Sequence, residues 1–177
     1  MVTPYDIAAS VPDPELPMVT IADLGILRDA HEHAGTVTVT ITPTYSGCPA
    51  MAQIAADLRR RLDQAGYRDV AIRTELSPAW TTDWITPDGR KKLSEAGIAP
   101  PGPHAGPVRV PLGSRPSPDV WPTQPPIAGS MGHTSAVPCP RCGSPDTREI
   151  SRFSGTACQA LYACRACLEP FEHVKEY

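Results

Sequence analysis

The residues of this chain best suited to chemistry are its cysteines, and four of the six fall into two close pairs. Cys139-Pro140-Arg141-Cys142 and Cys164-Arg165-Ala166-Cys167 are separated by 21 residues, and each pair can turn two thiolates toward one ion. Four sulfurs at this spacing suit a tetrahedral site in a ribbon of short strands, expected over 148–153 and 160–163. Zinc and a mononuclear iron centre use the same ligand set. Structural zinc is the first assignment, because residues 139–177 are too few to build a self-sufficient core and a metal would replace it. His173 lies close enough in sequence to compete as a ligand, but the cysteines already complete a tetrahedron.

The other two cysteines stand alone. Cys48 lies between a run in which Thr36, Thr38, Thr40 and Thr42 alternate with Val37, Val39 and Ile41 and a segment in which Met51, Ile54, Ala55, Leu58 and Leu62 recur at helical spacing. The first reads as a half-buried strand and the second as an amphipathic helix, with Pro49 suited to its first position. Cys48 thus sits at the positive end of a helix, where free N–H groups and the macrodipole favour a thiolate. It reads as a metal ligand or nucleophile, with a small buried hydrophobe as the alternative. Cys158 lies among small residues and hydroxyls in FSGTACQA. It is either a free buried thiol or a transient metal or sulfide contact shared with Cys48.

Carboxylates and indoles add to this set. Prolines 12, 14 and 17 stiffen VPDPELP and exclude a regular helix or central strand, so Asp13 and Glu15 occupy an ordered loop. They are either solvated turn acids or part of a site with Cys48. Trp80 and Trp84 flank a polar stretch in WTTDWIT. They either cover the edge of a small core or shape a pocket or partner-binding face.

The elements that must position these residues follow from periodicity and punctuation. A short helix is expected over 5–10, a helical turn over 20–25 closed by Gly25, a strand over 26–30, and a hairpin connection over 31–35. After the central helix, Gly66 ends the apolar period, 70–76 reads as a strand, and Thr86-Pro87-Asp88 opens a helix that runs to about Ala96. Residues 99–138 hold eleven of the chain's 22 prolines and read as a linker, with a short strand over 108–112 and Trp121 and Ile127 as its bulky anchors. The expected class is α+β: a small mixed α/β domain over 1–98, the linker over 99–138, and a four-cysteine zinc-ribbon-like domain over 139–177, the two domains moving as separate bodies. A net charge of -3 and a ribbon with five Lys/Arg against five Asp/Glu argue against nucleic-acid binding. The N-terminus has early acids and no apolar run, so neither secretion nor membrane insertion is expected. The implied compartment is the cytoplasm, where cysteines serve metals or chemistry rather than disulfides.

With these residues in hand, the chain resembles the family of D (or J) accessory subunits of bacterial phenylacetyl-CoA epoxidases. The resemblance is carried by DPELP from Asp13, TIADLGIL, ITPTYSGCPAM, WTTDWIT, GRKKLSEAGIAPP, CPRCGS, FSGTACQALYAC and CRACLEPFEHVK. The first domain also resembles the wider iron–sulfur assembly family, whose DPE and cysteine motifs fall on Asp13, Pro14, Glu15 and Cys48. The resemblance implies a non-catalytic factor in phenylacetate degradation that matures or repairs di-iron or iron–sulfur centres. Cys48, with Glu15, Asp13 and Cys158, would carry a transient iron ion or iron–sulfur cluster. It implies as partners the epoxidase subunits, their iron–sulfur reductase, and other iron–sulfur assembly proteins. An iron-containing electron-transfer component and a structural scaffold subunit are the alternatives. No nucleotide loop, di-iron helix pattern, flavin or nicotinamide motif is present in the sequence.

Overall fold

Helix α1 (Pro4–Ala9) opens the chain because Thr3 and Asp6 cap it reciprocally: the Thr3 hydroxyl accepts the Asp6 N–H, and the Asp6 carboxylate accepts the Thr3 N–H. The structure is a computed structural model, and it describes residues 2–45, 47–102 and 137–176. Strands β1 (Leu27–His33) and β2 (Thr36–Ile41) form an antiparallel hairpin with His33 opposite Thr36. Ala34 and Gly35 both have positive φ, 49° and 85°, as a two-residue type I′ turn demands. The connection is therefore shorter than the expected 31–35, and His31 is a strand residue beside Asp29 on the exposed surface.

Strand β3 (Asp69–Thr74) runs parallel to β2, giving the order β1-β2-β3, and helix α2 (Ala50–Gln64) makes the crossover. The alternation read from the sequence holds: Val37, Val39 and Ile41 enter the core that also contains Ile54, Leu58 and Leu62 of α2. Burying each of these aliphatic side chains contributes about 1.5–3 kcal/mol. Pro49 is the N-cap, one position ahead of the expected first turn, and its fixed φ of -69° already matches the helix.

The turn at 20–25 is held by an exchange between Thr20 and Asp23, each side chain accepting the other's N–H. Gly25 closes it at φ +69°, and a Cβ there would stand 2.6 Å from the Trp84 Cβ, so glycine is required both by conformation and by the close approach. Helix α3 (Pro87–Glu95), capped by the Thr86 hydroxyl, docks on this turn. The Thr86 N–H donates to the Asp23 carbonyl at 2.8 Å, and Lys92 Nζ meets the Asp23 carboxylate at 2.6 Å.

The four-cysteine ribbon comprises β5 (Thr147–Ser151), β6 (Gln159–Cys164) and β7 (Pro170–Val174), and it gains a fourth strand from outside itself. Strand β4 (Ile98–Ala99), directly after α3, pairs parallel with β7 to give the order β4-β7-β6-β5. Ile98 lies in the first domain's core and Ala99 in the ribbon's, while Val174 of β7 lies in the first domain's core. Arg90 adds two bonds, to the carbonyls of Thr82 and Pro101. The expectation of two separately moving bodies is corrected by this shared sheet and shared core. The chain joins the ribbon's sheet at Ile98 and Ala99, where the first domain gives way to the proline-rich stretch, a contact that composition does not record. The expected strand over 108–112 and the anchors Trp121 and Ile127 lie outside the described residues. No helix among the described residues is long and apolar enough to cross a membrane.

Candidate metal centres

Two knuckles build the ribbon site. In each, the residue after the second cysteine adopts a positive φ, 73° at Gly143 and 66° at Leu168, which turns the chain back and points the sulfurs inward. Gly143 N–H closes the first turn onto the Cys139 carbonyl at 2.8 Å; Cys167 N–H closes the second onto Cys164 Sγ at 3.4 Å. All four sulfurs lie within 4.8 Å of one another, with Cys139 to Cys167 at 3.8 Å and Cys142 to Cys164 at 3.6 Å. Thiolates about 2.3 Å from a tetrahedral zinc stand roughly 3.8 Å apart, so the donor set suits an ion of that size. Crowding also makes a cation necessary for full ionisation. Cys164 is lowered to about 7, first by the Cys167 N–H on its sulfur. Although the Glu169 N–H acts to lower Cys167, burial and the neighbouring sulfurs push that thiol up to about 12.

The second centre lies where the two units meet. Asp13 and Glu15 from the proline-stiffened loop, Cys48 from the entry to α2, and Cys158 from the turn before β6 all line one cavity. Leu16, Leu24, Ile26, Ile85 and Val174 make its apolar walls, and Thr44 and Trp80 complete it. Asp13 is fixed from within: its Oδ1 accepts the N–H groups of Glu15 at 2.9 Å and Leu16 at 2.8 Å. Cys158 is fixed by the ribbon, since the Lys175 N–H donates to its carbonyl at 2.9 Å and the Thr156 hydroxyl lies 3.0 Å from its sulfur. No Lys or Arg lines the cavity among the described residues.

The electrostatics reverse one expectation. Burial, followed by the charges of Glu15 and Asp13, pushes the Cys48 thiol up, although the Ala50 N–H at the helix start and the Thr44 hydroxyl act against it. The helix N-terminus does favour a thiolate, but the carboxylates and the apolar walls outweigh it. Burial likewise raises Asp13, Glu15 and Cys158, with Asp13 adding to Glu15, and Glu15 and Cys48 adding to Cys158. In all four groups the cavity disfavours the charged form, a penalty that a bound cation would offset.

Trp80 is 6% exposed, and its Nε1–H donates to the Leu24 carbonyl at 2.8 Å. A partner-binding face at Trp80 is therefore corrected to a cavity wall, because the indole is inside. Trp84 is half-buried, and the Arg28 guanidinium lies over its ring, 3.6 Å from the centroid, so this face presents a cation together with part of an indole. Sequence reasoning missed Thr44 and the entire strand β7. The alternation of Phe171 and His173 with Glu172 and Val174 was the available signal for the strand. His173 is not a ligand: its Nδ1–H donates to the Ala99 carbonyl at 3.1 Å, and its ring meets Tyr162 edge-on.

The fold and these centres define an iron–sulfur-assembly-type α+β domain joined to a four-cysteine ribbon. Family models match in the same order, an iron-sulfur cluster assembly protein over residues 9–73 and the PaaD zinc beta ribbon domain over 123–175. An Escherichia coli K12 protein, provisionally named as the D component of 1,2-phenylacetyl-CoA epoxidase, is 39% identical over 171 residues, covering 97% of this chain and 90% of the relative. The chain belongs to this family of D-type subunits of phenylacetyl-CoA epoxidase. A Porphyromonas gingivalis Fe-S protein maturation auxiliary factor is 35% identical over 86 residues, 48% of this chain and 81% of that protein. A crystal structure of a Bacillus anthracis domain of unknown function, DUF59, is 26% identical with a TM-score of 0.47, covering 51% of this chain and 87% of that one.

Proposed function

We propose that this chain is a cytoplasmic accessory factor of a phenylacetyl-CoA epoxidase system. It loads or repairs the di-iron or iron–sulfur centres of the oxygenase through metal or cluster transfer at Cys48. The observation that carries this reading is the cavity between the two units, where two thiols and two carboxylates meet without a basic partner. Such a set has little use in an electron carrier and none in a simple spacer, but it suits a cation that must be held and given up. Glu15 supplies an exchangeable oxygen, Asp13 shapes the loop and adds negative charge, and Cys158 offers a second sulfur. The names of the two curated relatives support the same assignment, one through the epoxidase and the other through iron–sulfur maturation.

In the ribbon, zinc is the proposed ion, held by Cys139, Cys142, Cys164 and Cys167; when bound it supplies folding energy rather than chemistry. The proposed partners are the epoxidase subunits, their iron–sulfur reductase and other iron–sulfur assembly proteins. The test is coexpression of the epoxidase with wild type, with Cys48→Ser, with Glu15→Gln or with no accessory protein, followed by measurement of epoxidase iron content and turnover. Cys48→Ser should lower both toward the level without the factor, and Glu15→Gln should lower them less. Full iron loading with Cys48→Ser would reject the transfer role and leave a scaffold subunit as the reading.

A further inference from the structure

We propose that Cys48 and Cys158 together form a binding site for one soft divalent cation of the ferrous class, completed only when the ribbon is docked. This rests on the metal-handling reading above and narrows its cargo to a single ion. Two sulfurs are the first ground. The thiols come from separate units, on opposite sides of the proline-rich segment, yet they line one cavity with Glu15 and Asp13. Sulfur with a carboxylate oxygen selects ions softer than magnesium or calcium.

Size is the second ground. The cavity leaves about 30 Å³ open to the centre of a water-sized body. One such body needs roughly 10–15 Å³ by that measure, so the space holds an ion with a water. The smallest iron–sulfur cluster, with two irons and two sulfides, does not fit without opening the walls.

Access and exchange are the third. A wider outer cavity, about 210 Å³, shares Thr44 and Trp80 with the inner one and is lined further by Thr42 and Tyr45, which places room for a hydrated cation beside the inner site. Among the described residues, the ribbon cysteines alone form a group of three or more ligand residues whose donor atoms all lie within 4.8 Å of one another, and no three of Cys48, Cys158, Glu15 and Asp13 do so. The Cys48–Cys158 site is thus more open than the ribbon site, as suits an ion that leaves again.

The binding step balances simply: two thiols lose two protons as two metal–sulfur bonds form, leaving a neutral dithiolate pair around the divalent ion. Ribbon docking matters because the Cys158 carbonyl is held by the N–H of Lys175, the residue that follows β7.

The test uses full-length protein with zinc in its ribbon, titrated anaerobically with cobalt(II), an open-shell stand-in for ferrous iron. The expected result is one cobalt per chain beyond the ribbon zinc, sulfur-to-cobalt charge-transfer absorption, and release of about two protons per ion. Cys48→Ser and Cys158→Ser should each halve that absorption and weaken binding by about tenfold or more, with ribbon zinc retained. Should Cys158→Ser lose zinc, Cys158→Ala provides the same reading. Unchanged cobalt binding in the Cys158 variant, or no cobalt beyond the ribbon, overturns the shared site. Failure here is distinct from failure of the functional reading. Two-thiol binding without any effect on epoxidase iron would sink the function and keep the site, whereas Cys48-dependent activation without two-thiol binding would do the reverse.

Discussion

His173 of β7 donates its Nδ1–H to the Ala99 carbonyl at 3.1 Å, and this bond links the last strand of the ribbon to the two-residue strand leaving the first domain. Burial lowers the His173 pKa from the ordinary 6.5, although the Ala99 carbonyl, Glu176 and Glu149 all act to raise it. The folded protein therefore holds the neutral ring at a pH where the unfolded chain already binds a proton. Below about 6.5 the unfolded state gains protons first, so stability falls with acidification, by at most about 1.4 kcal/mol per pH unit, until the folded ring also protonates. His173→Asn can keep a donor near the Ala99 carbonyl and should flatten this pH dependence. His173→Phe should cost about 1–3 kcal/mol at neutral pH by orphaning that carbonyl. Denaturation monitored between pH 5 and pH 8 (about these limits) checks both against the His173 titration window.

Asp13 should show the opposite sign. Its carboxyl is raised above 3.8 by burial, despite accepting the Leu16 and Glu15 N–H groups. A raised acid stabilises the fold below its ordinary value, and that contribution is lost as pH climbs through the folded value. Asp13→Asn keeps an acceptor for both N–H groups and removes the buried charge. It should therefore be more stable than wild type at neutral pH while binding cobalt more weakly. Asp13→Ala should lose about 1–3 kcal/mol, since the two N–H groups lose their acceptor. Paired melting curves at acid and neutral pH distinguish these outcomes; an Asn variant less stable than wild type at neutral pH would contradict the account.

Serine at Cys139, Cys142, Cys164 or Cys167 should abolish the tightly held ion and unfold the ribbon. Structural zinc in such small sites supplies roughly 10–16 kcal/mol of apparent folding energy, far more than residues 139–177 can replace. Strong chelation should act in the same way. Because β4 pairs with β7, Ile98 and Ala99 should lose hydrogen-exchange protection together with the ribbon, while α2 stays protected. Metal analysis with hydrogen exchange checks this, and one retained metal per chain in the variants would sink the assignment.

Leu168 carries a backbone cost that a single substitution removes. It is 80% exposed and holds φ at 66°, the conformation that Gly143 takes without strain in the other knuckle. Leu168→Gly should raise ribbon stability by up to about 1 kcal/mol, the relieved strain being partly offset by the freer unfolded chain. The midpoint of ribbon unfolding in denaturant, at fixed zinc, measures the change.

Local chemistry was legible in the order of amino acids alone. Alternation over Val37, Val39 and Ile41, the helical spacing of Ile54, Leu58 and Leu62, and the opening Thr86-Pro87-Asp88 are short-range patterns, and each produced its element to within a residue or two. The two CxxC pairs were equally legible, because a knuckle is a local turn and four sulfurs need one ion. Long-range contacts settled what those patterns cannot encode. Whether Cys48 favours thiolate or thiol depended on the Glu15 and Asp13 charges and the apolar walls, contributed by distant parts of the chain, and these outweighed the helix terminus. Whether Trp80 faces a partner or a cavity was set by the Leu24 carbonyl it reaches. The pairing between the two units was hidden for the same reason: Ile98 and Ala99 stand where the first domain gives way to the proline-rich segment, and only the edge of β7 makes them a strand. Joining Cys158 to Cys48 likewise required that edge. Long-range strand pairing brings them to one cavity, and no periodicity in either segment records it.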